Sequence, residues 1–139
     1  MSENKQASIQ FLNFVVKECH IVFNNIGDYK IDINFNPKGF VNKTIDQFTL
    51  QLDVTIKDKD NGFNVNIITE SFFSYSTETD IKEHIEGVFS LNAPAIVFPY
   101  IRAYIASLTA LSGMATLTLP TLNLSQLGET LKGNISIVD

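Results

Sequence analysis

The run Asn92-Ala93-Pro94-Ala95-Ile96-Val97-Phe98-Pro99-Tyr100-Ile101-Arg102-Ala103-Tyr104-Ile105 limits how this chain can fold. It is too apolar to stand uncovered in water, and its two prolines break it as a simple membrane span. No residue from Ala103 to Leu119 is charged, a length that would reach across a bilayer. Ser and Thr hydroxyls and Gly113 interrupt that run, however, and Pro120 closes it. A helix packed in a water-soluble fold is therefore expected, without membrane insertion. Proline suits a first helical turn and glycine a left-handed C-cap, so the helix is expected from about Pro94 or Pro99 to Ser112, ending at Gly113. Phe98, Ile101, Tyr104, Ile105, Leu108 and Leu111 nearly circle it. A helix apolar all round is sandwiched between surfaces, and the sheet of one chain covers only one side.

What precedes this run reads as sheet. Ala7 to Phe23 is rich in β-formers, with apolar residues of both parities around Leu12 to Val16, the signature of a bulge or of burial on both faces. Tyr29, Ile31, Ile33 and Phe35 alternate with polar residues, and Pro37 and Gly39 are expected to end that strand. Phe48 to Ile56 alternate as cleanly, and Asn61-Gly62 marks a hairpin before Phe63, Val65 and Ile67. Past Ile68 the phase blurs. Asp32, Asp53 and Glu70 fall on the polar, water-facing side of these strands. Ile81, Ile85 and Val88 have helical spacing after Thr79 or Asp80 as N-cap, with Glu83 placed for a capping box. Leu117, Leu119, Leu122 and Leu124 read as a greasy covering loop. Leu127 and Leu131 suggest a weak helical turn, and Ile135-Ser136-Ile137-Val138 a short β-prone end. The whole is an α+β fold: a four-stranded antiparallel sheet, Greek key or meander, packed with one long helix and a short C-terminal element. At 139 residues it is read as a single domain, 1–139, with residues 1–6 frayed.

Several function classes lack their residues. A net charge of −5 opposes binding to a phosphate backbone, so no nucleic acid is expected. The chain has one cysteine and two histidines, too few for the converging ligands of a metal site. Cys19 and His20, being adjacent on a strand, point to opposite faces and cannot act as a nucleophile pair. The carboxylates lie in turns or on polar faces, and no phosphate-cradling or nucleophile-elbow motif occurs. No enzyme activity and no cofactor are expected. A single cysteine and a polar start without a basic head and apolar run suit a reducing cytoplasm.

Pro94, Phe98, Pro99, Tyr100 and Arg102 match a motif of the SecB family of bacterial protein-export chaperones, and here the chain resembles that family. Leu119-Pro120-Thr121-Leu122-Asn123-Leu124 is similar to the family's segment after its main helix, in the same order and at similar spacing. The chain departs from the family at Ala103, where an acidic residue is usual. It departs again at Ser125-Gln126-Leu127, where the family's long second helix is shortened or lost. The resemblance implies a cytoplasmic, ATP-independent holdase that binds unfolded polypeptides in apolar grooves and serves protein export and translocation. Phe98, Tyr100, Tyr104, Leu117, Leu119, Leu122 and Leu124 would line the client groove. Ile101, Ile105, Leu108 and Leu111 would form the interface of a dimer or dimer of dimers (a homotetramer). Asp32, Asp53 and Glu70 would offer an acidic face for the translocation ATPase, a docking the altered C-terminal region puts in question. The alternative is a dedicated partner of one client, a toxin–antitoxin-associated or phage SecB-like protein without general chaperone activity.

Overall fold

The structure, a computed structural model, describes residues 8–25, 27–120 and 122–138; the expected frayed segment 1–6 lies outside them. In chain order the elements are β1 (Ile9–Phe23), β2 (Ile31–Asn42), β3 (Gln47–Asp58), β4 (Phe63–Tyr75) and α1 (Ile81–Glu86). A π-helical turn (Val88–Asn92), α2 (Ala93–Leu111), α3 (Leu124–Lys132) and β5 (Ile135–Val138) follow. The strands form one five-stranded sheet in the order β1-β4-β3-β2-β5. β2, β3 and β4 form an antiparallel meander, and β1 lies antiparallel beside β4, which is the Greek-key arrangement. The β-prone end joins the expected four strands as a fifth, β5, which runs parallel to β2 from Gly39↔Ile135 to Asn42↔Val138.

The period-2 pattern fixes which face is dry. Phe48, Leu50, Leu52, Val54 and Ile56 of β3 and Phe63, Val65, Ile67 and Phe73 of β4 are buried on the inner face. The phase of β4 blurs in sequence because Thr69 and Ser71 occupy inward positions while Ile68 and Phe72 point out. β1 slips register against β4 between Phe11 and Asn13 and again between Val16 and Glu18, the bulges that its mixed parity announces.

β2 does not end at Pro37. The Pro37 carbonyl turns to the outer edge, where it accepts from Asn134 Nδ2 at 3.1 Å. A residue's N–H and C=O leave a strand on the same side, so the N–H that proline lacks would also face that edge, and the ladder to β3 is intact through Pro37↔Leu52.

Asp58 ties the turns at this end together. Its carboxylate accepts the Lys30 N–H (Oδ1, 2.8 Å) and the Gly62 N–H (Oδ2, 2.8 Å). Asn61 takes the left-handed conformation (φ 63°). A Cβ on Gly62 would lie 2.7 Å from Asp58 Oδ2, so close approach requires the glycine. Burial pushes the Asp58 carboxyl up, and the N–H groups of Lys30, Gly62 and Asp60 outweigh it and hold it below the usual carboxylate value. A carboxyl lowered by folding stabilises above its unfolded value of about 3.9, and that stability is lost as pH falls through the folded value. Asp58→Asn is therefore expected to melt below the parent at pH 7, with the two melting temperatures converging below about pH 4; a gap constant from pH 7 to 3 would remove the carboxylate from this account.

On the inner face α2 buries one stripe, Ala93, Pro94, Val97, Ile101, Ile105 and Thr109, spaced for a single helix face. Pro99 lies inside the helix on its exposed side, with the exposed Ala95 one turn before it, so the carbonyl it leaves unpaired meets water. Gly113 caps the end as expected (φ 83°), and the Met114 N–H donates to the Thr109 carbonyl at 3.1 Å, closing a Schellman turn. The buried Thr109 hydroxyl donates to the Ile105 carbonyl at 2.9 Å and accepts the Leu117 N–H at 2.9 Å, pinning the returning loop to the helix. α1 forms where expected, but the Asp80 side chain makes no cap hydrogen bond.

Candidate functional site

The sheet has two unlike edges. Against β1, Tyr100 of α2 packs on Phe11 (5.1 Å between ring centroids) and Phe14 (5.5 Å). Tyr104, close by, has its phenol pushed up by burial and further by the adjacent Cys19 side chain. Against β2, at the other end of the sheet, Phe98 meets Phe35 at 6.4 Å. Between β2 and α3 runs a groove of about 330 Å3 lined by Ile33, Asn34, Phe35, Leu122, Asn123, Gln126, Leu127 and Thr130.

Three elements build that groove. β2 supplies its floor: Ile33 and Phe35 turn their side chains to the inner face and share the outward backbone direction of Pro37 and Gly39, two residues apart each. β5 joins β2 only from Gly39 onward. Among the described residues no backbone hydrogen bond takes up the edge at Ile33 and Phe35. Leu122 in the loop and Leu127 on α3 form the wall. Asn123, the asparagine of the Leu-Asn-Leu segment, caps α3 by accepting the Gln126 N–H at 3.3 Å. α3 is anchored below by the fully buried Leu131 and by Lys132, whose Nζ lies 3.3 Å from Glu86 of α1 and 3.1 Å from Glu129. Gly128 sits on the π-helical turn, where a Cβ would overlap the Ser90 carbonyl oxygen.

The residues expected to share one groove therefore separate. Leu122 lines it, Phe98 reaches it through Phe35, and Leu124 is half-buried at the start of α3. Tyr100 and Tyr104 stand at the opposite, β1 side. Leu117 and Leu119 are core residues, 7% and 0% exposed, because the loop returns over the dry face of the sheet. Of the expected interface residues, Ile101 and Ile105 are already covered by their own sheet, Leu108 is half-buried, and Leu111 is 88% exposed. Ile33, Phe35 and Leu127 were missing from the expected set. The alternation of β2 and the helical spacing of the tail carried their signal, but nothing in sequence joins segments so far apart.

Asp32, Asp53 and Glu70 do share the outer face. Asp53 Oδ1 accepts from Asn66 Nδ2 at 2.7 Å, Glu70 lies 3.8 Å from Lys17, and Asp32 stands opposite Lys57 in the strand register. Cys19 and His20 face opposite sides, Cys19 beside Ile67 and His20 beside Asn66. Among the described residues no three metal-ligating side chains converge. The site can hold an extended chain by backbone pairing and apolar contact.

Comparison with known proteins agrees with this fold. The family model described as "Preprotein translocase subunit SecB" matches residues 9–131. An uncharacterized protein of Methanocaldococcus jannaschii is 21% identical over 132 residues, spanning 90% of this chain and 85% of its own length. A SecB-like chaperone of Mycobacterium tuberculosis, solved in complex with a ChAD peptide from an antitoxin, superposes with a TM-score of 0.72. It is 18% identical and covers 82% of this chain and 90% of its own.

Proposed function

The chain belongs to the SecB family, and on that premise we propose that it is an ATP-independent holdase that keeps unfolded polypeptides extended in the groove beside β2. The unpaired edge at Ile33 and Phe35, set against Leu122 and Leu127, carries this reading. A strand docked there gains backbone hydrogen bonds and buries alternate side chains, a recognition mode indifferent to most of the client's sequence. Each buried Å2 of apolar surface contributes about 25 cal/mol. A protein that binds only the unfolded chain shifts the folding equilibrium against it. Suppression of aggregation of several unrelated urea-denatured proteins on dilution tests this. Leu122→Asp, which places a charge in the groove wall, is expected to weaken client binding about tenfold or more with little change in melting temperature. Unaltered binding by that variant would remove the groove.

A second reading, a dedicated partner of one client, is supported by the similarity to the mycobacterial chaperone solved with an antitoxin peptide. It predicts no suppression with unrelated clients and one tight partner. A role in export would add docking on the translocation ATPase to the holding of clients. That docking would have to use an outer face on which Glu70 lies 3.8 Å from Lys17 and Asp32 stands opposite Lys57 in the strand register.

We also infer self-association, as a dimer or dimer of dimers in the cytoplasm. In the most apolar window of the helical stretch Ile81–Leu111 only 28% of the residues are buried within the single chain, and Leu91, Tyr100 and Leu111 stand exposed along it, apolar surface that suits a covering partner. Leu111→Lys, at a side chain 88% exposed, is expected to shift the assembly to smaller species without unfolding the subunit. Unchanged mass in sedimentation would place the interface away from the end of α2.

A further inference from the structure

β5 lies on the same edge of β2 that the groove leaves open, and it continues that edge in line: residues 39–42 are paired to it, and Ile33 and Phe35 are not. We propose that β5 is a displaceable strap, a strand of the chain's own that occupies part of the client edge and gives way to an incoming extended polypeptide whose alternate side chains are apolar. This rests on the reading of the groove as the client site.

The contrast between β5 and the helix before it supports the assignment. α3 is fastened by Leu131, which is fully buried, by Gly128 against the Ser90 carbonyl, and by Lys132 to Glu86. β5 is a strand of four residues that, among the described residues, is paired on one side only. Its Ile135 packs against the core, but Ile137 and Val138 are 49% and 43% exposed. Gly133 and Asn134 join the two, the latter fixed by its side chain to the Pro37 carbonyl and by its own carbonyl to the Gly39 N–H. The strap can therefore leave while the groove wall stays. Its departure, with release of the two Asn134 bonds to Pro37 and Gly39, would lengthen the free edge from the stretch around Ile33 and Phe35 to Asn42, room for more client pairs. β5 also shows what that edge accepts: Ile135 and Ile137, two apart, turn to the inner face, with polar Ser136 outward between them. While β5 is in place, a client's apparent affinity is reduced by the fraction of molecules with the strap open.

Two variants move the strap in opposite directions. In the parallel ladder Gly39 donates to Asn134, which turns the Ser136 N–H toward β2. Ser136→Pro deletes that donor at an exposed position and is expected to open the strap. Phe40 and Ser136 are cross-strand partners on the outer face. Phe40→Cys with Ser136→Cys, in a Cys19→Ser chain, locks the strap when oxidised and releases it on reduction. With a fluorescein-labelled peptide copying residues 133–138 as probe, the oxidised form is expected to bind about tenfold more weakly than the same protein reduced. Ser136→Pro is expected to bind severalfold more tightly than the parent. Equal binding by oxidised and reduced protein, with the disulfide confirmed by mass, would overturn the strap. Amide exchange decides it without any client: Ser136 and Val138 are expected to exchange faster than Leu131 of α3, and equal protection overturns the proposal. Absence of client binding by every form would instead overturn the groove reading, leaving the exchange result to judge the strap.

Discussion

Phe89→Ala is expected to cost about 3–5 kcal/mol, the range for emptying a buried aromatic site. Phe89 is fully buried in the π-helical turn between α1 and α2. It stacks on Phe48 of β3 with centroids 4.1 Å apart and planes 3° from parallel, on His84 of α1 at 5.1 Å, and edge-on to Tyr75 of β4 at 5.4 Å. One ring thus joins β3 and β4 of the sheet to α1. The site cannot collapse easily, because its neighbours are themselves fixed: Phe48 by the β3 ladder, and His84 by its Nε2 at 2.6 Å from the Ser76 carbonyl. Domains of this size hold only about 5–15 kcal/mol in all, so the variant is expected to melt lower by roughly 10 °C or more. Phe72→Ala, at a half-exposed ring on the outer face, is the control and is expected to cost far less. A Phe89→Ala loss below about 1 kcal/mol in urea titration would mean that the π-helical turn does not couple the layers.

The residues on the dry face were legible because alternation is a local property. Phe48 to Ile56 and Phe63 to Ile67 could be placed facing the core from their spacing alone, and Gly113 as the helix cap from its position. The errors arose where a distant partner decides. Pro37 breaks a strand only if its missing N–H is needed, and which way it faces depends on the neighbour across the edge. Ile135 to Val138 read as β-prone, but that they add a fifth strand follows only from the open edge β2 offers them. Ile101 and Leu111 have the same hydrophobicity class and helical context, yet one is fully buried and the other 88% exposed; only the sheet beneath distinguishes them. The candidate groove suffers most from this. Ile33, Leu122 and Leu127 meet through the path of α2 and the loop after it, which no spacing encodes.

Gly128→Ala separates the fold from the groove. In an ordinary helix interior, glycine to alanine stabilises by about 0.5–1 kcal/mol, because the unfolded chain loses freedom. At Gly128 the added methyl would overlap the Ser90 carbonyl oxygen, a backbone atom that cannot rotate away. Over-packing of this kind costs about 1–3 kcal/mol, so the net effect is expected to be destabilising. α3 can relieve the overlap only by lifting from the π-helical turn, which carries Leu127 out of the groove wall and strains the contact of Lys132 with Glu86. The five-stranded sheet keeps its core, since Leu131 is the one fully buried side chain that α3 contributes to it. Client binding should therefore fall about tenfold or more while β-sheet circular dichroism is retained. Gly133→Ala is the matched control: its Cβ would meet only the Thr130 carbonyl oxygen, at 3.7 Å, an ordinary contact. If Gly128→Ala proved as stable as the parent and bound clients equally well, α3 would not be held against Ser90, and the groove beside β2 would lose its wall.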